Sequence, residues 1–510
     1  MNEQIRQDTF NIASRLLDEN AAERGDKVAI YCGEETVTYR DVLKNVNRFA
    51  NVLKKLNVKP TERVMIHLPD SPMFIYAFLG SIKHGAWPVP VNTMLGVADY
   101  EYLLENSEAR VLVTEKTSKA ACAGTRHLCY RLFADDGLDE WLSEASDEAE
   151  AHPAHEDDIA FWLYSSGSTG RPKGTPHKHI DLLFIANAYG RHVLHITEED
   201  KLFSVSKLFF AYGLGNNLAI PFRYGAPVVL LSDRPSPENV LQIIQEQQPT
   251  IFFGVPTQYN SLLKKIDQIR FESLRLCASA GEALPPEVLR KWREKTGLTI
   301  LDGIGSTEAM HIFISNYSDD VLEGTSGRLV PGFQAKIVDL SGKEVPQGVP
   351  GHLLIRGRSI TPGYWKRPEE NAEKMLEGGW FRTGDIYSQV GGYFTYQGRG
   401  DDMLKVGGIW VSPVEIENVL MEHKAVHECA VVGQEIEGLI KPFAYVILEP
   451  QYAGADTDKP RLSRELLDYA AGRLPRFKCP WDIMLPDELP KTATGKIQRF
   501  KLRMPERQAA

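Results

Sequence analysis

Cysteine is sparse in this 510-residue sequence: Cys32, Cys122, Cys129, Cys277, Cys429 and Cys479 are scattered and form no CxxC pair. Neither a zinc cluster nor a disulfide framework is signalled, and free thiols in a reducing compartment are expected. No apolar run approaches the roughly 20 residues that a membrane span needs. The N-terminal MNEQIRQDTF is polar and carries acids, unlike a secretory leader of the usual kind. Positive charge is also short. With 58 Lys and Arg against 68 Asp and Glu, the formal net charge is −10. A nucleic-acid partner is therefore not expected, and an anionic substrate must be captured by local cations. Neither a solenoid period nor a low-complexity tract is present. The expectation is a cytoplasmic enzyme with no membrane or nucleic-acid partner.

Hydrophobic content of 43% with 25% charged residues is that of a globular protein, and the length exceeds one ordinary core. Two or more domains are expected. Residues 28–31 and 63–68 read as strands, residues 39–56 and 72–83 as helices, and residues 86–91 as a strand with prolines at its ends, a repeating β/α wind. Residues 135–158 are acidic and read as a surface excursion. The alternation resumes with strand-like 227–231 and 250–253 and helix-like 237–247 and 285–296, which fits parallel sheets under helical cover. From about residue 326, short strands punctuated by Gly and Pro predict a small antiparallel or barrel-like segment. A further compact unit begins near residue 401. It has a helix over 413–421 with Ser412 as N-cap, strands over 429–432 and 443–448, and a helix over 463–473.

The most informative stretch is residues 164–174, YSSGSTGRPKG, with three glycines, four Ser or Thr hydroxyls, an arginine and a lysine. Glycines let backbone N–H groups approach phosphate oxygens, the hydroxyls of Ser165, Ser166, Ser168 and Thr169 add neutral donors, and Lys173 adds a compact positive charge. A flexible Gly/Ser connector is the plain alternative. The stretch does not fit GxxxxGK followed by Ser or Thr, so ordinary P-loop ATPase chemistry is disfavoured. Apolar residues 161–164 precede it as a short buried strand, and Pro172 forbids a helix directly after the glycines. A strand-to-strand or strand-to-loop grip on phosphate is predicted.

Four further motifs follow. LDGIGSTEAM, residues 301–310, sets Thr307 to meet phosphate and Glu308 to hold a cation. GGWFRTGD ends at Asp385, a carboxylate suited to ribose hydroxyls. GRGDDMLKVGG begins at Gly398 and contains Arg399, and PKTATGKIQR offers Lys496. Singly, each reads as well as a turn or a surface charge. Together, in this order and at these separations, they resemble the adenylate-forming superfamily of acyl- and aryl-CoA synthetases over nearly the whole chain.

That resemblance implies an α/β fold. A large N-terminal domain, residues 1–400, would comprise two β/α subdomains and a distorted β-barrel. A small mobile α+β C-terminal lid, residues 401–510, would turn about a hinge at Asp401. It implies ATP, Mg2+ and coenzyme A, with a carboxylate attacking the α-phosphate of ATP and a thiol then attacking the acyl adenylate. Carried over by motif, Ser165, Ser166, Gly167, Ser168, Thr169, Gly170 and Lys173 face the β- and γ-phosphates. Thr307 and Glu308 take phosphate and magnesium, and Asp385 with Arg399 takes the ribose. Gly281, Glu282, Ala283, Asp302, Gly303 and Ile304 frame adenine. Ile304 stands where many relatives place an aromatic ring. Lys496 bridges substrate carboxylate and phosphate, and its context is one acetylated in relatives, so a lysine acetyltransferase and deacetylase are implied partners; dimerisation is common in the group. When the lid turns, Lys405, Gly407 and Gly408 come in, the glycines admitting a pantetheine arm, though a plain hairpin turn would also account for them.

The segment KLFFAYGLGN, residues 207–216, together with His311 and Ile312, resembles the benzoate-CoA ligase group. The resemblance makes Phe210, Ala211, Tyr212, Gly305, His311 and Ile312 a flat apolar slot for one ring. Ordinary core packing is the alternative for the aromatic cluster. His311 either lines the ring, where it can donate to a substituent, or is a satisfied buried polar group. Hydroxybenzoates, aminobenzoates, heteroaryl acids, cyclohexane carboxylates and aryl loading onto a carrier protein stay open as alternatives.

Overall fold

The computed structural model describes residues 10–165, 171–266, 269–406, 409–436, 438–454, 457–491 and 497–503. The large sheet has nine strands, in spatial order Arg328–Leu329, Ile312–Ser315, Ile300–Gly305, Leu276–Ser279, Ile251–Gly254, Leu202–Ser204, Val228–Leu230, Val28–Cys32 and Glu35–Thr38. The six strands from Ile300–Gly305 to Val28–Cys32 run parallel. Antiparallel strands close both edges. Burial on both faces explains their unbroken apolar character: Ile251–Gly254 and Leu276–Ser279 are buried at every position. A second, all-parallel sheet orders Trp87–Pro90, Arg63–His67, Ala109–Thr114 and Tyr130–Phe133.

The helices start where local chemistry says they should. Thr38 caps Tyr39–Lys55 by accepting the Asp41 N–H, and Ser71 caps Pro72–His84, which stops at Gly85 with φ 91°. Residues 135–158 form the expected surface excursion, but an ordered one. They contain the helix Leu138–Glu144, which buries Leu138 and Leu142. Asn47 and Asn51 of the long helix donate to the carbonyls of Asp147, Ser146 and Glu148 at 2.8–2.9 Å. Backbone polar groups inside this acidic run are thus satisfied by asparagine amides, a bond that its charge pattern does not reveal.

The expected barrel-like segment is a five-stranded antiparallel sheet built from Gln334–Val338, Gly351–Arg356, Trp380–Val390, Met375–Leu376 and Tyr393–Arg399. Beyond it, the hairpin Leu404–Val406 and Ile409–Val411 leads to Pro413–Met421 and to the three-stranded sheet Val426–Ile436, Leu439–Leu448 and Asp482–Met484. Among the described residues, no buried hydrophobic cluster contains members from both sides of residue 400. The two parts meet through polar contacts such as Asn260 Nδ2 donating to the His427 carbonyl at 3.3 Å.

Within the C-terminal part, one carboxylate joins three elements. Glu417, 8% exposed, accepts the Val431 N–H at 2.7 Å and two bonds from Arg499 at 2.9 Å. Removing one partner of such a pair leaves a buried charge uncompensated, at a cost of about 3–5 kcal/mol. Glu417→Ala should therefore shift the urea transition of the C-terminal part by about 3 kcal/mol, with the transition of the N-terminal part unmoved. Coincident loss of both transitions would show the two parts to be one cooperative unit.

Candidate active site

Among the described motif residues, those following two parallel strands of the large sheet lie at the carboxyl ends of those strands. Ile300–Gly305 carries Asp302, Gly303, Ile304 and Gly305, and runs into the turn that presents Thr307 and Glu308. That turn is closed by Met310 in the left-handed region, φ 69°, and by the Ala309 N–H donating to Ser306 Oγ at 3.2 Å. Leu276–Ser279 runs into Gly281, whose φ of 97° suits glycine, with Glu282 and Ala283 half-buried after it.

Lys173 reaches the site from a separate hairpin. Ile159–Ser165 and Lys173–Lys178 pair antiparallel, with Ser165 opposite Lys173, so the glycine-rich loop is the connection between two strands. Ser165 and Lys173 are each 9% exposed. Ser166, Gly167, Ser168, Thr169, Gly170, Gly407, Gly408 and Lys496 lie outside the described residues.

The hairpin is fastened by a stretch that sequence reasoning missed. Thr361 N–H donates to the Glu308 carbonyl at 2.8 Å, the Thr361 hydroxyl to the Pro176 carbonyl at 2.7 Å, and Trp365 N–H to the Gly174 carbonyl at 2.8 Å. Tyr364 then bridges both motifs. Its hydroxyl donates to Glu308 Oε1 at 2.8 Å, and Lys173 Nζ lies 5.1 Å from its ring centroid. Burial, then Glu308 and, more weakly, Glu370, raise the Tyr364 pKa, so both carboxylates lie near this ring. Lys173 itself forms an ion pair with Glu370. GYWKRPEE shows only a turn followed by an acidic helix start, so nothing in its composition marked contacts with Lys173 and Glu308.

Asp385 and Arg399 face each other in register on neighbouring strands, with Arg399 Nη1 at 2.9 Å from Asp385 Oδ1. Asp385 chiefly, and Glu308 among weaker influences, push the Arg399 pKa up, which puts the ribose-type and cation-type motifs in one electrostatic neighbourhood. Burial drives the Asp302 carboxyl well above the usual carboxylate range, and its Oδ1 is buried without a hydrogen-bond partner. Such an orphaned acceptor suits a ligand N–H donor. Asp401 is exposed, held through its carbonyl by Arg503 at 2.8 Å, and Lys405 is exposed on the C-terminal hairpin.

The aromatic cluster lies beside this cleft. Phe210 precedes the helix Ala211–Leu214, which continues as a π-helical turn over Gly215–Ala219. A second π-helical turn, Ala186–Arg191, carries Tyr189. His311 sits between them, 2% exposed. Its ring lies 5.0 Å from Tyr189 and 5.6 Å from Tyr212, and Nε2 is 3.0 Å from Asn216 Oδ1. A Cβ on Gly215 would come within 2.2 Å of His311 Cδ2, and one on Gly305 within 2.6 Å of the His311 carbonyl, so both glycines are needed for this approach. Ile312 is 2% exposed against the same wall.

Asp70, also missed from sequence, fixes the segment leading to Phe210. It accepts the Leu208 N–H at 2.9 Å, and burial raises its pKa to about 6. The Lys207 ammonium donates to the Asp233 carbonyl at 2.7 Å.

The parallel sheet brings Asp302 and Glu308 to the carboxyl end of one strand, the antiparallel hairpin and the five-stranded sheet add Lys173, Asp385 and Arg399 beside them, and an aromatic cluster adjoins, an arrangement of α/β-enzyme type. Residues 17–365 match the model of the AMP-binding enzyme family, and residues 415–496 match the AMP-binding enzyme C-terminal domain. The chain belongs to this family. It is 45% identical over 509 residues to a benzoate–CoA ligase of Thauera aromatica, covering 97% of this chain and 96% of that one. It is 38% identical to a 4-hydroxybenzoate–CoA/benzoate–CoA ligase of Rhodopseudomonas palustris, covering 97% and 94%. The crystal structure of a benzoate CoA ligase from Burkholderia xenovorans superposes with a TM-score of 0.90 at 40% identity, covering 97% of this chain and all of that one. Among the described residues, no helix is long and apolar enough to cross a membrane.

Burial holds the His311 pKa down at about 3 and that of His179 at about 4. In the unfolded chain both take up protons near pH 6.5, so the folded state loses stability as pH falls below that value, by about 1.4 kcal/mol per pH unit for each histidine. His311→Gln should flatten the pH dependence of unfolding free energy between pH 6 and 4 by about one such slope. Urea unfolding at a series of pH values checks this, and an unchanged slope would mean that His311 titrates normally.

Proposed function

We propose that this protein is an ATP-dependent benzoate–CoA ligase, converting benzoate, ATP and coenzyme A to benzoyl-CoA, AMP and pyrophosphate. The observation that carries this reading is the juxtaposition of the His311–Asn216–Tyr189–Tyr212 cluster with the Lys173–Glu308 cleft. The names of the two relatives and of the superposed structure support the same ring acid.

Benzoate enters ring first, against Phe210, Ala211, Tyr212, Gly305, His311 and Ile312, which leaves its carboxylate toward the phosphates. A carboxylate oxygen forms a bond to the α-phosphorus, the bond to the bridging oxygen breaks, and pyrophosphate departs with that electron pair. Lys173, Thr307 and the hydroxyls of the glycine-rich loop hold the β- and γ-phosphates, and Lys496 follows the charge that builds between carboxylate and α-phosphate. Asp385 and Arg399 hold the ribose, and Asp302 Oδ1 accepts from the adenine amine, with Gly281, Glu282, Ala283, Gly303 and Ile304 around the base. Mg2+ entering with the nucleotide would neutralise phosphate charge. Among the described residues no three His, Cys, Asp or Glu side chains gather, and a single carboxylate, Glu308, suits an ion that takes its other oxygens from phosphate and water. Residues 401–510 then turn about Asp401, bringing Lys405, Gly407 and Gly408 toward the adenylate. The CoA thiol bonds to the acyl carbon and AMP leaves. Lys496, needed in one half-reaction, is also where an acetyltransferase would silence the enzyme and a deacetylase restore it. A cytoplasmic homodimer is the form we expect.

Ring hydroxyls are a second reading. The R. palustris relative is named for both acids, and the Asn216–His311 pair supplies polar atoms near the slot. Apolar contact alone separates such substrates by only about 1–3 kcal/mol.

Pyrophosphate release from benzoate, 4-hydroxybenzoate, 2-aminobenzoate, acetate and hexanoate, with and without coenzyme A, tests the assignment. Benzoate should lead, with thioester formed only when coenzyme A is present. Equal turnover of hexanoate would overturn the pocket. Lys496→Ala should slow adenylation by about two to three orders of magnitude, while transfer from supplied benzoyl adenylate to coenzyme A survives. Equal loss in both half-reactions would rule out a lysine used in only one.

A further inference from the structure

The ammonium that the phosphates are expected to meet already has an anion. Lys173 pairs with the Glu370 carboxylate, and the two side chains are only 11% and 26% exposed. Glu370 lies in the helix Pro368–Lys374, and its other oxygen is 3.6 Å from Arg367 Nη1. Arg367 Nη2 donates to the Tyr102 hydroxyl at 3.1 Å, and that hydroxyl donates to the carbonyl of Pro172 at 3.0 Å, the residue before Lys173. A closed circuit thus runs from Lys173 through Glu370, Arg367 and Tyr102 back to the phosphate loop. Nothing in the proposed chemistry uses Glu370, and a carboxylate beside a triphosphate is repulsive.

We propose that Glu370 is a positioning residue that stands in for phosphate. It holds the Lys173 ammonium in the nucleotide-free enzyme, yields it to the triphosphate, and reclaims it as pyrophosphate leaves. The proposal rests on Lys173 being a phosphate ligand. A partly buried charge-assisted bond fixes a lysine that would otherwise sample many rotamers, and the phosphates must break it to bind. Arg367 is the partner that takes the released carboxylate. Breaking the pair weakens ATP and pyrophosphate alike, so Glu370 lowers product inhibition and costs nucleotide affinity.

Glu370→Gln should lower both the KM for ATP and the inhibition constant of pyrophosphate by about three- to tenfold, leave the KM for benzoate within about twofold, and be largely reversed by Glu370→Asp. Arg367→Gln, which leaves Glu370 no other partner, should raise both phosphate constants. A merely structural residue would not move them in opposite directions. If Lys173→Met weakens ATP yet Glu370→Gln leaves the two constants unchanged or raises them, or Arg367→Gln fails to raise them, the stand-in role is overturned. If Lys173→Met leaves the KM for ATP unchanged, the phosphate assignment of Lys173 falls with it.

Discussion

Residues 361–370 hold the two charged poles of the cleft at a fixed separation, and the rest of the site depends on that. Lys173 comes from a two-stranded hairpin and Glu308 from a turn at the edge of the large sheet, and no strand pairing connects them. The linkage is instead a backbone strap whose Thr361 and Trp365 groups bond to Glu308, Pro176 and Gly174. Each such bond contributes only about 1 kcal/mol net. Their value is positional, since a displacement of about 1 Å in a charged group is enough to spoil in-line attack. Tyr364, caught between the Lys173 ammonium and the Glu308 carboxylate, links the two poles directly.

Charge balance follows from the same arrangement. The site joins three described cations, Lys173, Arg367 and Arg399, to three carboxylates, Glu308, Glu370 and Asp385, in a chain that carries −10 overall. A polyanion is therefore not drawn in by a general field. On the proposed assignment, binding comes from exchange of partners, with internal carboxylates giving up their cations and neutral N–H and hydroxyl donors making up the difference. A site built this way keeps its buried cations satisfied when empty, which an unpaired lysine at 9% exposure would not be.

The parts of this arrangement that were legible in the sequence are those written in short range. The strand–loop–strand grip was readable because apolar residues 161–164 precede the glycines and Pro172 follows them, and Ser412 was readable as a cap because its hydroxyl sits three residues before Glu415. Asp385 opposite Arg399 could be suspected from motif order, but their register is a property of the sheet. The strap was illegible: Thr361, Tyr364 and Glu370 act on residues far away in sequence, and their own neighbourhood shows only a turn and an acidic helix start. The two π-helical turns were equally hidden, since an extra residue per turn leaves no compositional trace. Asn216 and Tyr189 could not be placed against His311 without them.

Under the proposed function, that hidden geometry bears on which end of an aromatic acid goes in first. Burial of His311 between the two turns keeps its imidazole neutral well below physiological pH. A protonated imidazole at that depth would reward a substrate that inserted its carboxylate, leaving the ring to face the phosphates, where no reaction is possible. With a neutral wall, a carboxylate at the bottom of the slot is an unpaired charge and costs several kcal/mol. In the proposed pose the ring therefore enters, and the carboxylate stays with the cations. Gly215 and Gly305 serve this outcome, because a Cβ at the first would collide with the His311 ring and one at the second with the His311 backbone.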